Sequence, residues 1–442
     1  KVLSDVEHII KRPGMYVGDI KNKLLSRFIL NNEKKSIEYL DINYSQGILK
    51  LFDEVLVNAS DETQRNKVNY IKINITNEYI EVKNDTNKSI PIEKQNDLYI
   101  PEIIFGMLRS GSNFNDDIDR TTGGINGLGV KLVNIFSSEF YVEISSGNTL
   151  YKQTWRDNMK EKNKANIKKS KKKLKEQYVL IRFYPDFEKF DTNKITENLK
   201  LLLYKRCYDI ATFVSINKTK VYINEELIKI KNFKEYIQLY LVSDEKYIYK
   251  KFNDRFELGL TLSKGDSLEI VSLVNGIDVF DGGEHINYII HQINKYIQNK
   301  LKKDEKIKLN SLKNKIFIFV NCLITNPSFS SQSKEKLITK IKDSGTNFIL
   351  DETTLKKIYN LLKKSIKDEL EFNNLKLLTK TNSKRRRLNI INLADAKYAG
   401  TKKSNEAILI ITEGLSAMSL ALSGIGSLKN GINVYGCYPL KG

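Results

Sequence analysis

The sequence has 442 residues, 40% of them hydrophobic, and a formal net charge of +20 at pH 7. This length predicts two or three domains. The charge favours a polyanionic partner, either nucleic acid or an anionic membrane, although an AT-rich genome that enriches lysine codons would produce the same excess. The few, widely spaced cysteines and histidines argue against a zinc site and a disulfide framework. No apolar run reaches the roughly 18 residues that span a bilayer, so no membrane-spanning segment is expected; of the two polyanionic partners, we expect nucleic acid and no membrane.

The first third of the chain predicts a helix followed by a hairpin. Residues 48–63, ILKLFDEVLVNASDET, have apolar positions at helical spacing, with Glu54, Asn58 and Asp61 together on one side. Residues 70–76 and 78–85 alternate apolar and polar positions, which is typical of half-buried strands. Asn84 falls at the end of the second strand.

A glycine-rich loop follows at residues 121–132, TTGGINGLGVKL. Glycine is used where φ must be positive or where backbone comes close to a ligand. The spacing differs from the G-x-G-x-x-G dinucleotide fingerprint. It also differs from the Walker loop, because Val130 precedes Lys131 and Leu132 follows it. We therefore expect a phosphate-binding loop of a third kind.

The remaining elements predict a second α/β section and the beginning of a third. A strand within 178–190 ends in a turn at Pro185, and further strands are expected within 258–263, 268–276 and 315–325. A long amphipathic helix is expected from Thr354 to Leu378. The last forty residues predict a strand, an acidic turn at Glu413 and a helix, and the chain then stops too soon to finish an α/β domain.

Two basic segments remain open in their interpretation. The lysine-dense residues 160–175 are either a solvated hairpin tip or loop, or a nucleic-acid contact. The cluster KTNSKRRRLNI at 380–390 is either a nuclear-localisation or DNA-contact patch, or an exposed linker.

The polar side of the first helix is a candidate catalytic site. A carboxylate at Glu54 could act as general base on an attacking water, and Asn58 offers a neutral oxygen suited to Mg²⁺. Asn84 could pair with a base edge, and the loop amides with Lys131 could neutralise phosphate. The alternative for Glu54 is the polar boundary of an ordinary amphipathic helix.

These segments resemble, in order, the Bergerat ATP-binding fold of the GHKL superfamily, and within it the eukaryotic-type type IIA DNA topoisomerases. The resemblance extends over essentially the whole chain through EHIIKRPGMYVG, DEVLVNASDE, TGGINGLGVKL, VNGIDVFDGGEHINYI, NPSFSSQSKEKL and LADAKYAGTKKSNEAILIITEG. It implies an α/β (α+β) fold. The domains would be a GHKL ATPase domain (1–240), a ribosomal-protein-S5-like transducer domain (241–375), a basic connector (376–404) and the beginning of a TOPRIM domain (405–442).

When family roles are assigned to the matching positions, the resemblance implies that Glu54 is the catalytic base and that Asn58 is a ligand of the Mg²⁺ bound with ATP. It also implies that Asn84 recognises the adenine base. Lys334, in a loop similar to the family's Q-T-K loop, would reach the γ-phosphate, where a cation stabilises the transferring phosphoryl group; the alternative is a plain surface lysine. The other ATP-binding positions implied are Ser112, Asn113, Gly124, Ile125, Asn126, Gly127, Leu128, Gly129, Val130, Lys131, Gln332 and Ser333.

The resemblance also implies metal and DNA sites outside the ATP pocket. Glu413 corresponds to the first acidic residue of the TOPRIM Mg²⁺ site, whose remaining ligands would lie beyond Gly442. The first choice for contact with double-stranded DNA is the set Lys300, Lys302, Lys303 and Lys306.

The chain departs from the family pattern at four places. It has NDTNKSIP in place of N-D-G-x-G-I-P, so both glycines are missing and one residue is added. Ile125 replaces the usual Arg of the phosphate loop, and Leu128 replaces a common Tyr. Leu415 replaces an Asp of the TOPRIM motif.

The function implied is the ATPase region of a type IIA topoisomerase. ATP would bring two chains together as a homodimer, and hydrolysis would drive one duplex through a break made by a missing C-terminal core, so this chain alone is expected to hydrolyse ATP without cleaving DNA. The alternatives are a GHKL nucleotide-binding module without turnover and a mismatch-repair or chaperone ATPase. The expected location is the nucleus, or a cytoplasmic replication factory if the source is viral.

Overall fold

The computed structural model describes residues 3–108, 110, 121–122, 127–265, 267–301, 307–379 and 393–440. Within these residues the strands, β1 to β20 in chain order, are Asn22–Asn31, Ser36–Ser45, Tyr70–Ile75, Ile80–Asp85, Lys94–Gln95, Leu98–Tyr99, Ser137–Ser146, Thr149–Arg156, Glu161–Lys162, Asn166–Lys169, Tyr178–Pro185, Lys220–Ile223, Glu226–Leu227, Ile248–Asn253, Phe256–Leu262, Glu269–Val274, Ile277–Asp278, Ile316–Cys322, Ile408–Glu413 and Tyr435–Leu440. The helices, α1 to α11, are Asp5–Lys11, Gln46–Arg65, Ile100–Gly106, Gly129–Ile135, Glu197–Val214, Phe233–Gln238, Glu284–Lys300, Leu309–Lys313, Glu352–Thr379, Gly414–Ser427 and Gly431–Val434.

The first body is a layer of helices on a large, mostly antiparallel sheet of order β10-β8-β7-β11-β4-β3-β12-β13, with β9 paired to β8. α2 and α5 pack on this sheet and on each other. The apolar side of α2 is fully buried at Leu51, Phe52 and Leu56, against strand residues such as Ile71 and Ile80. This burial orients the helix, and therefore fixes where its polar side points.

The second body is a five-stranded sheet of order β14-β15-β18-β16-β17, in which β16 runs parallel to β18. Helices α7 and α9 cover it. α7 buries isoleucines at Ile286, Ile289, Ile290, Ile293 and Ile297, positions that repeat every three or four residues and so form one side of the helix.

The third body contains β19, parallel to β20, and helix α10. Met418, Leu422 and Cys437 form its small buried cluster. No helix in the described part of the chain is long and apolar enough to cross a membrane.

Most of the predicted elements are confirmed, with boundaries that shift by a few residues. The helix expected at 48–63 runs from Gln46 to Arg65, and the long helix expected at 354–378 runs from Glu352 to Thr379. The hairpin of β3 and β4 is antiparallel, with Asn84 opposite Ile71. The domain boundaries remain predictions, although β14 to β18 all follow residue 241.

The loop interpretation of the lysine-dense segment is wrong for its central residues. Asn166–Lys169 form β10, an edge strand paired with β8. Exposed lysines on an edge strand discourage pairing with another chain, which gives the segment a structural role as well. The basic cluster at 380–390 lies outside the described residues.

Candidate active site between the two sheets

A cavity of about 1390 Å³ opens between the first and second bodies. One wall is the polar side of α2, and another is formed by the end of β4 and by β11. The segment from Asn326 to Lys334, which follows β18, closes the cavity from the second body. The site is therefore assembled from residues that are distant in sequence.

Glu54 is held in the cavity wall by two lysines. Lys50, one helical turn earlier, forms an ion pair with Oε1 of Glu54, and Nζ of Lys334 lies 3.3 Å from the same oxygen. All three side chains are buried, with relative exposures of 5% for Glu54 and 7% for each lysine. This trio, which we call the Glu54 trio, carries a net charge of +1 and so favours an anionic ligand beside it.

The two ammonium groups determine the protonation of Glu54. Burial alone would raise the pKa of this carboxyl, but Lys334 and Lys50 outweigh burial and lower it to about 2. Glu54 is therefore ionised at neutral pH. A base with so low a pKa accepts a proton poorly until one of its cations moves away.

Lys334 reaches Glu54 because of a tight turn. Its backbone N–H donates to the carbonyl of Ser331 at 3.1 Å, and its φ of 62° is left-handed, which is uncommon for a residue other than glycine. The turn directs the lysine out of the second body and into the cavity of the first. Such strained backbone is often found at functional sites.

The glycine-rich loop meets Glu54 at the start of α4. A Cβ atom on Gly129 would lie 1.8 Å from Oε2 of Glu54, which is far inside van der Waals contact. Glycine is therefore needed here for the space that it leaves for the carboxylate. At Gly127, by contrast, a φ of 59° makes the backbone itself favour glycine.

Lys131 lies in the first turn of α4 and is buried, with a relative exposure of 2%. Its Nζ donates to the backbone carbonyls of Ser110 and Gly127, both at 2.5 Å, and its side chain lines the cavity. Burial lowers the pKa of this ammonium group to about 8. Lys131 therefore ties the two segments that flank the loop, and it adds positive charge to the cavity that depends on pH near neutrality.

The cavity lining also contains a buried amide together with apolar side chains. Asn84, the residue before the end of β4 at Asp85, is 7% exposed, and the apolar side chains of Val82 and Ile181 line the same cavity. The neighbouring Asp85 has a structural role, since its carboxylate accepts hydrogen bonds from the backbone N–H groups of Asn69 and Tyr70. An amide in an apolar recess matches the shape and edge of a nucleobase.

The missing glycines of the NDTNKSIP segment are compensated by a side chain. The hydroxyl oxygen of Thr86 accepts from the backbone N–H of Lys88 at 3.2 Å, and this hydroxyl donates to Glu62 on α2 at 2.7 Å. A threonine side chain can close a turn in this way. The turn forms without positive φ at Thr86.

The other predicted ATP-site residues are placed as follows. Asn58 is exposed on the cavity wall, and Gln332, Gly127, Gly129 and Val130 also line the cavity. Leu128 caps the start of α4, and the hydroxyl of Ser333 pairs with that of Ser331. Ser112, Asn113, Gly124, Ile125 and Asn126 lie outside the described residues.

The predicted TOPRIM metal residue Glu413 and the predicted DNA contact Lys300 do not line the cavity. Glu413 is exposed at the junction of β19 and α10, and no group of three metal-ligating side chains forms among the described residues. Lys300 is exposed at the end of α7. Lys302, Lys303 and Lys306 fall in the gap between residues 301 and 307, which the structure does not describe.

Comparison with known proteins agrees with this geometry. A protein-family model described as DNA gyrase B matches residues 212–385. DNA topoisomerase 2 of Saccharomyces cerevisiae is 39% identical over 474 aligned residues, covering 100% of this chain and 32% of that protein. The probable DNA topoisomerase 2 of Dictyostelium discoideum is also 39% identical, over 99% of this chain and 30% of its own length. The chain thus spans about a third of the curated relatives that it matches.

Solved structures match most of the chain. The crystal structure of the ATPase region of Saccharomyces cerevisiae topoisomerase II, bound to ICRF-187, is 38% identical with a TM-score of 0.78, over 83% of this chain and 98% of that one. This chain belongs to the DNA topoisomerase II family. The ATPase and transducer domains of topoisomerase II from Balamuthia mandrillaris superpose with a TM-score of 0.79 at 29% identity, over 86% of this chain and 98% of that one.

Family membership confirms the fold that the sequence predicts, and the matched structure contains the ATPase and transducer domains of a topoisomerase II. Following the predicted order along the chain, we call the large sheet with α2 and α5 the ATPase domain and the five-stranded sheet with α7 and α9 the transducer domain. The cavity lies between these two domains. The assignment of residues 405–442 to a TOPRIM domain stays a prediction.

Sequence reasoning missed two residues of this topoisomerase II site. Lys50 was overlooked, although its spacing of four residues from Glu54 is the spacing of a helical ion pair. Thr122 is buried in the cavity lining, and its hydroxyl has no hydrogen-bond partner among the described residues. A buried hydroxyl without a partner is costly, so Thr122 is a candidate ligand contact. No local pattern in the sequence indicates it.

Replacing Gly129 by Ala should lower ATP turnover about 100-fold, because the added methyl group displaces the Glu54 carboxylate and a displacement of about 1 Å can cost that much. Steady-state kinetics would measure the loss. Gly14→Ala is the matched control, since a Cβ there meets nothing within 4 Å. Wild-type turnover in the Gly129 variant would show that the carboxylate position does not matter.

Proposed function

We propose that this chain binds ATP in the interdomain cavity and hydrolyses it with Glu54 as general base. The observation that carries the proposal is the contact between Lys334 of the transducer domain and Glu54 of the ATPase domain, 3.3 Å apart in the cavity wall. A base and a cation at one point are two groups that phosphoryl transfer to water uses.

The cavity offers groups complementary to both parts of the nucleotide. Asn84 in its apolar recess would recognise the adenine, and the segment from Gly127 to Lys131 with Gln332 would surround the phosphates. Asn58 fits the preference of Mg²⁺ for oxygen ligands and few protein contacts. When bound, Mg²⁺ would neutralise charge on the phosphate oxygens.

The Glu54 trio supports a mechanism in which nucleotide itself activates the base. A γ-phosphate competes for the ammonium group of Lys334, and once this cation pairs with phosphate the pKa of Glu54 rises. Glu54 then accepts a proton from the attacking water as the new bond to phosphorus forms, and the bond to the bridging oxygen of ADP breaks. Lys50 remains paired with Glu54 throughout.

In the whole protein, we propose that ATP brings two chains together through their ATPase domains and that hydrolysis accompanies transport of one DNA duplex. The net charge of +20 supports contact with duplex phosphates. Lys300, Lys302, Lys303 and Lys306 are the proposed contacts, and residues 160–175 are the second candidates. Glu413 is proposed to belong to the Mg²⁺ site of the TOPRIM domain.

The test is steady-state Mg²⁺-ATPase activity as a function of protein concentration. We expect a rate per chain that rises with concentration, as dimerisation requires, and a further rise on adding duplex DNA at low salt. A chain that binds ATP without hydrolysing it at any concentration would be a nucleotide-binding module without turnover, and the proposal would be wrong.

Lys131 makes nucleotide binding depend on pH. Its pKa of about 8 means that the folded protein loses this charge as the pH rises through 8, so ATP affinity should fall several-fold between about pH 7 and pH 9. Isothermal titration at several pH values would measure the fall. Lys131→Met is the control. This variant should bind ATP weakly, and the part of the pH dependence that comes from Lys131 should be absent.

The same titration affects the free energy of unfolding in the opposite direction. Unfolded Lys131, with its ordinary pKa of 10.5, binds more protons than the folded form between pH 8 and 10.5. The contribution of Lys131 to stability therefore increases with pH in that window. If ATP affinity and the contribution of Lys131 to the free energy of unfolding both decreased as the pH rose, the lowered pKa assigned to Lys131 would be contradicted.

A further inference from the structure

A buried ionic cluster joins the ATPase and transducer domains next to the Glu54 trio. On α5, Nζ of Lys205 lies 2.9 Å from Asp209 and 2.7 Å from Asp278, which ends β17 of the transducer. Arg206 lies 2.8 Å from Asp53 on α2 and 2.5 Å from Asp209. We call these five residues the interdomain ion cluster.

The interdomain ion cluster is well buried at its centre. The side chains of Lys205, Arg206 and Asp209 are at most 3% exposed, and those of Asp278 and Asp53 are 17% and 22% exposed. Buried ion pairs add little net stability compared with apolar packing, because desolvation offsets their attraction. Their geometry is demanding, however, so a cluster of this kind fixes the relative position of the parts that it joins.

The transducer side of the cluster is bound to the loop that carries Lys334. Three backbone hydrogen bonds connect them, from Asp281 to Glu335 at 3.0 Å, from Leu337 to Gly282 at 2.9 Å and from Glu284 to Leu337 at 3.2 Å. A Cβ on Gly283 would lie 2.1 Å from the carbonyl oxygen of Leu337, so the two segments are in close contact. Residues 276–284 and 334–337 should therefore move together.

The ATPase side of the cluster is bound to the helix that carries Glu54. Arg206 pairs with Asp53, the residue immediately before Glu54, and its Nη2 donates to the carbonyl of Gly276 at 3.2 Å. A closed ring of contacts results. It runs from Glu54 to Lys334, through the transducer segments to Arg206, and back through Asp53 on α2.

We propose that the interdomain ion cluster is a positioning device that sets where Lys334 stands relative to Glu54, and that Asp278 and Arg206 thereby control ATP turnover without touching nucleotide. This inference rests on the proposed ATPase function. It adds a second connection between the domains, independent of the contact between Lys334 and Glu54. The cluster members would be positioning residues, since they act only through Lys334.

The test is a double-mutant cycle with Asp278→Asn and Lys334→Ala. In otherwise wild-type protein, Asp278→Asn should lower kcat about tenfold, a modest loss for a displaced catalytic group, with the dissociation constant for ATP within about twofold of wild type. In the Lys334→Ala background it should cause no further loss, because coupled residues are not additive. Independent, additive losses would overturn the inference.

Hydrogen exchange gives a readout that does not depend on activity. Asp278→Asn should increase exchange at the amides of Glu284 and Leu337, which hold the two transducer segments together. The matched control is Asp351→Asn, which removes another lysine–aspartate pair of the transducer, that of Lys250, and should change neither kcat nor this exchange. Unchanged protection and unchanged kcat in Asp278→Asn would overturn the inference.

Two further outcomes separate folding and function from positioning. If Asp278→Asn does not fold, Asp278→Glu is used instead, because it keeps the charge and shifts its position. We then expect a smaller loss of kcat, which again is not additive with that of Lys334→Ala. A wild-type chain without ATPase activity would contradict the proposed function, whereas an active wild type with an unaffected Asp278 variant would contradict the positioning role alone.

Discussion

Replacement of Glu54 by Gln is expected to lower ATP turnover by about 10²- to 10⁴-fold, the usual contribution of a general base, while ATP binding is kept. The amide preserves the size of the side chain but cannot accept the proton of the attacking water. It also removes a negative charge between Lys50 and Lys334, so the cavity becomes more positive and ATP should bind at least as tightly as in the wild type. Single-turnover kinetics and equilibrium binding would separate the two effects.

The matched control is Glu62→Gln on the same helix. Glu62 also lines the cavity but accepts a hydrogen bond from Thr86 and lies two turns away from the Glu54 trio. Its replacement should change ATP affinity more than turnover. Loss of ATP binding in the Glu54 variant, with the fold intact by circular dichroism, would contradict the assignment of Glu54 as a general base that is not needed for binding.

Replacement of Lys334 by Ala is the second large effect, with turnover expected to fall by about 10²-fold or more. A single cation that stabilises the transferring phosphoryl group contributes about 10³- to 10⁵-fold in related reactions, and Lys131 retains part of the positive charge. Binding should change little, because most of the residues that line the proposed nucleotide cavity belong to the ATPase domain. Lys336→Ala, two residues along and exposed, is the control and should be near wild type.

The pH profile of the Lys334 variant is a sharper test than its rate. Lys334 is one of the two ammonium groups that hold the pKa of Glu54 near 2, so its removal should raise that pKa. The pH dependence of kcat/KM reflects the pKa values of the free enzyme. The decrease of kcat/KM on the acid side of the profile should therefore occur at higher pH in the variant. A Lys334→Met variant, which keeps the bulk of the side chain, should show the same shift. An unmoved acid side of the profile would contradict the pairing of Lys334 with Glu54 in the free protein.

The helices and strands with a periodic apolar pattern, and the fold indicated by the order of the family motifs, could be predicted from the sequence of this chain. The apolar spacing of residues 48–63 predicts α2 and the side on which Glu54 and Asn58 lie, because helical geometry alone fixes that relation. The alternation in β3 and β4 predicts their hairpin for the same kind of local reason. Six motifs in family order predicted the topoisomerase II fold, which the solved structures confirm.

Only the tertiary structure decided how the groups that share the site contact one another. Lys334 lies 280 residues from Glu54 and becomes its ion-pair partner through a left-handed turn, which no local pattern specifies. Thr86 replaces a missing glycine through its side chain, and Asn166–Lys169 become an edge strand where a loop was expected. Each outcome involves a hydrogen bond to a distant part of the chain: Thr86 bonds to Glu62, β10 pairs with β8, and Lys334 bonds to Glu54. A local sequence pattern cannot specify such contacts, because folding alone brings together the groups that satisfy each other.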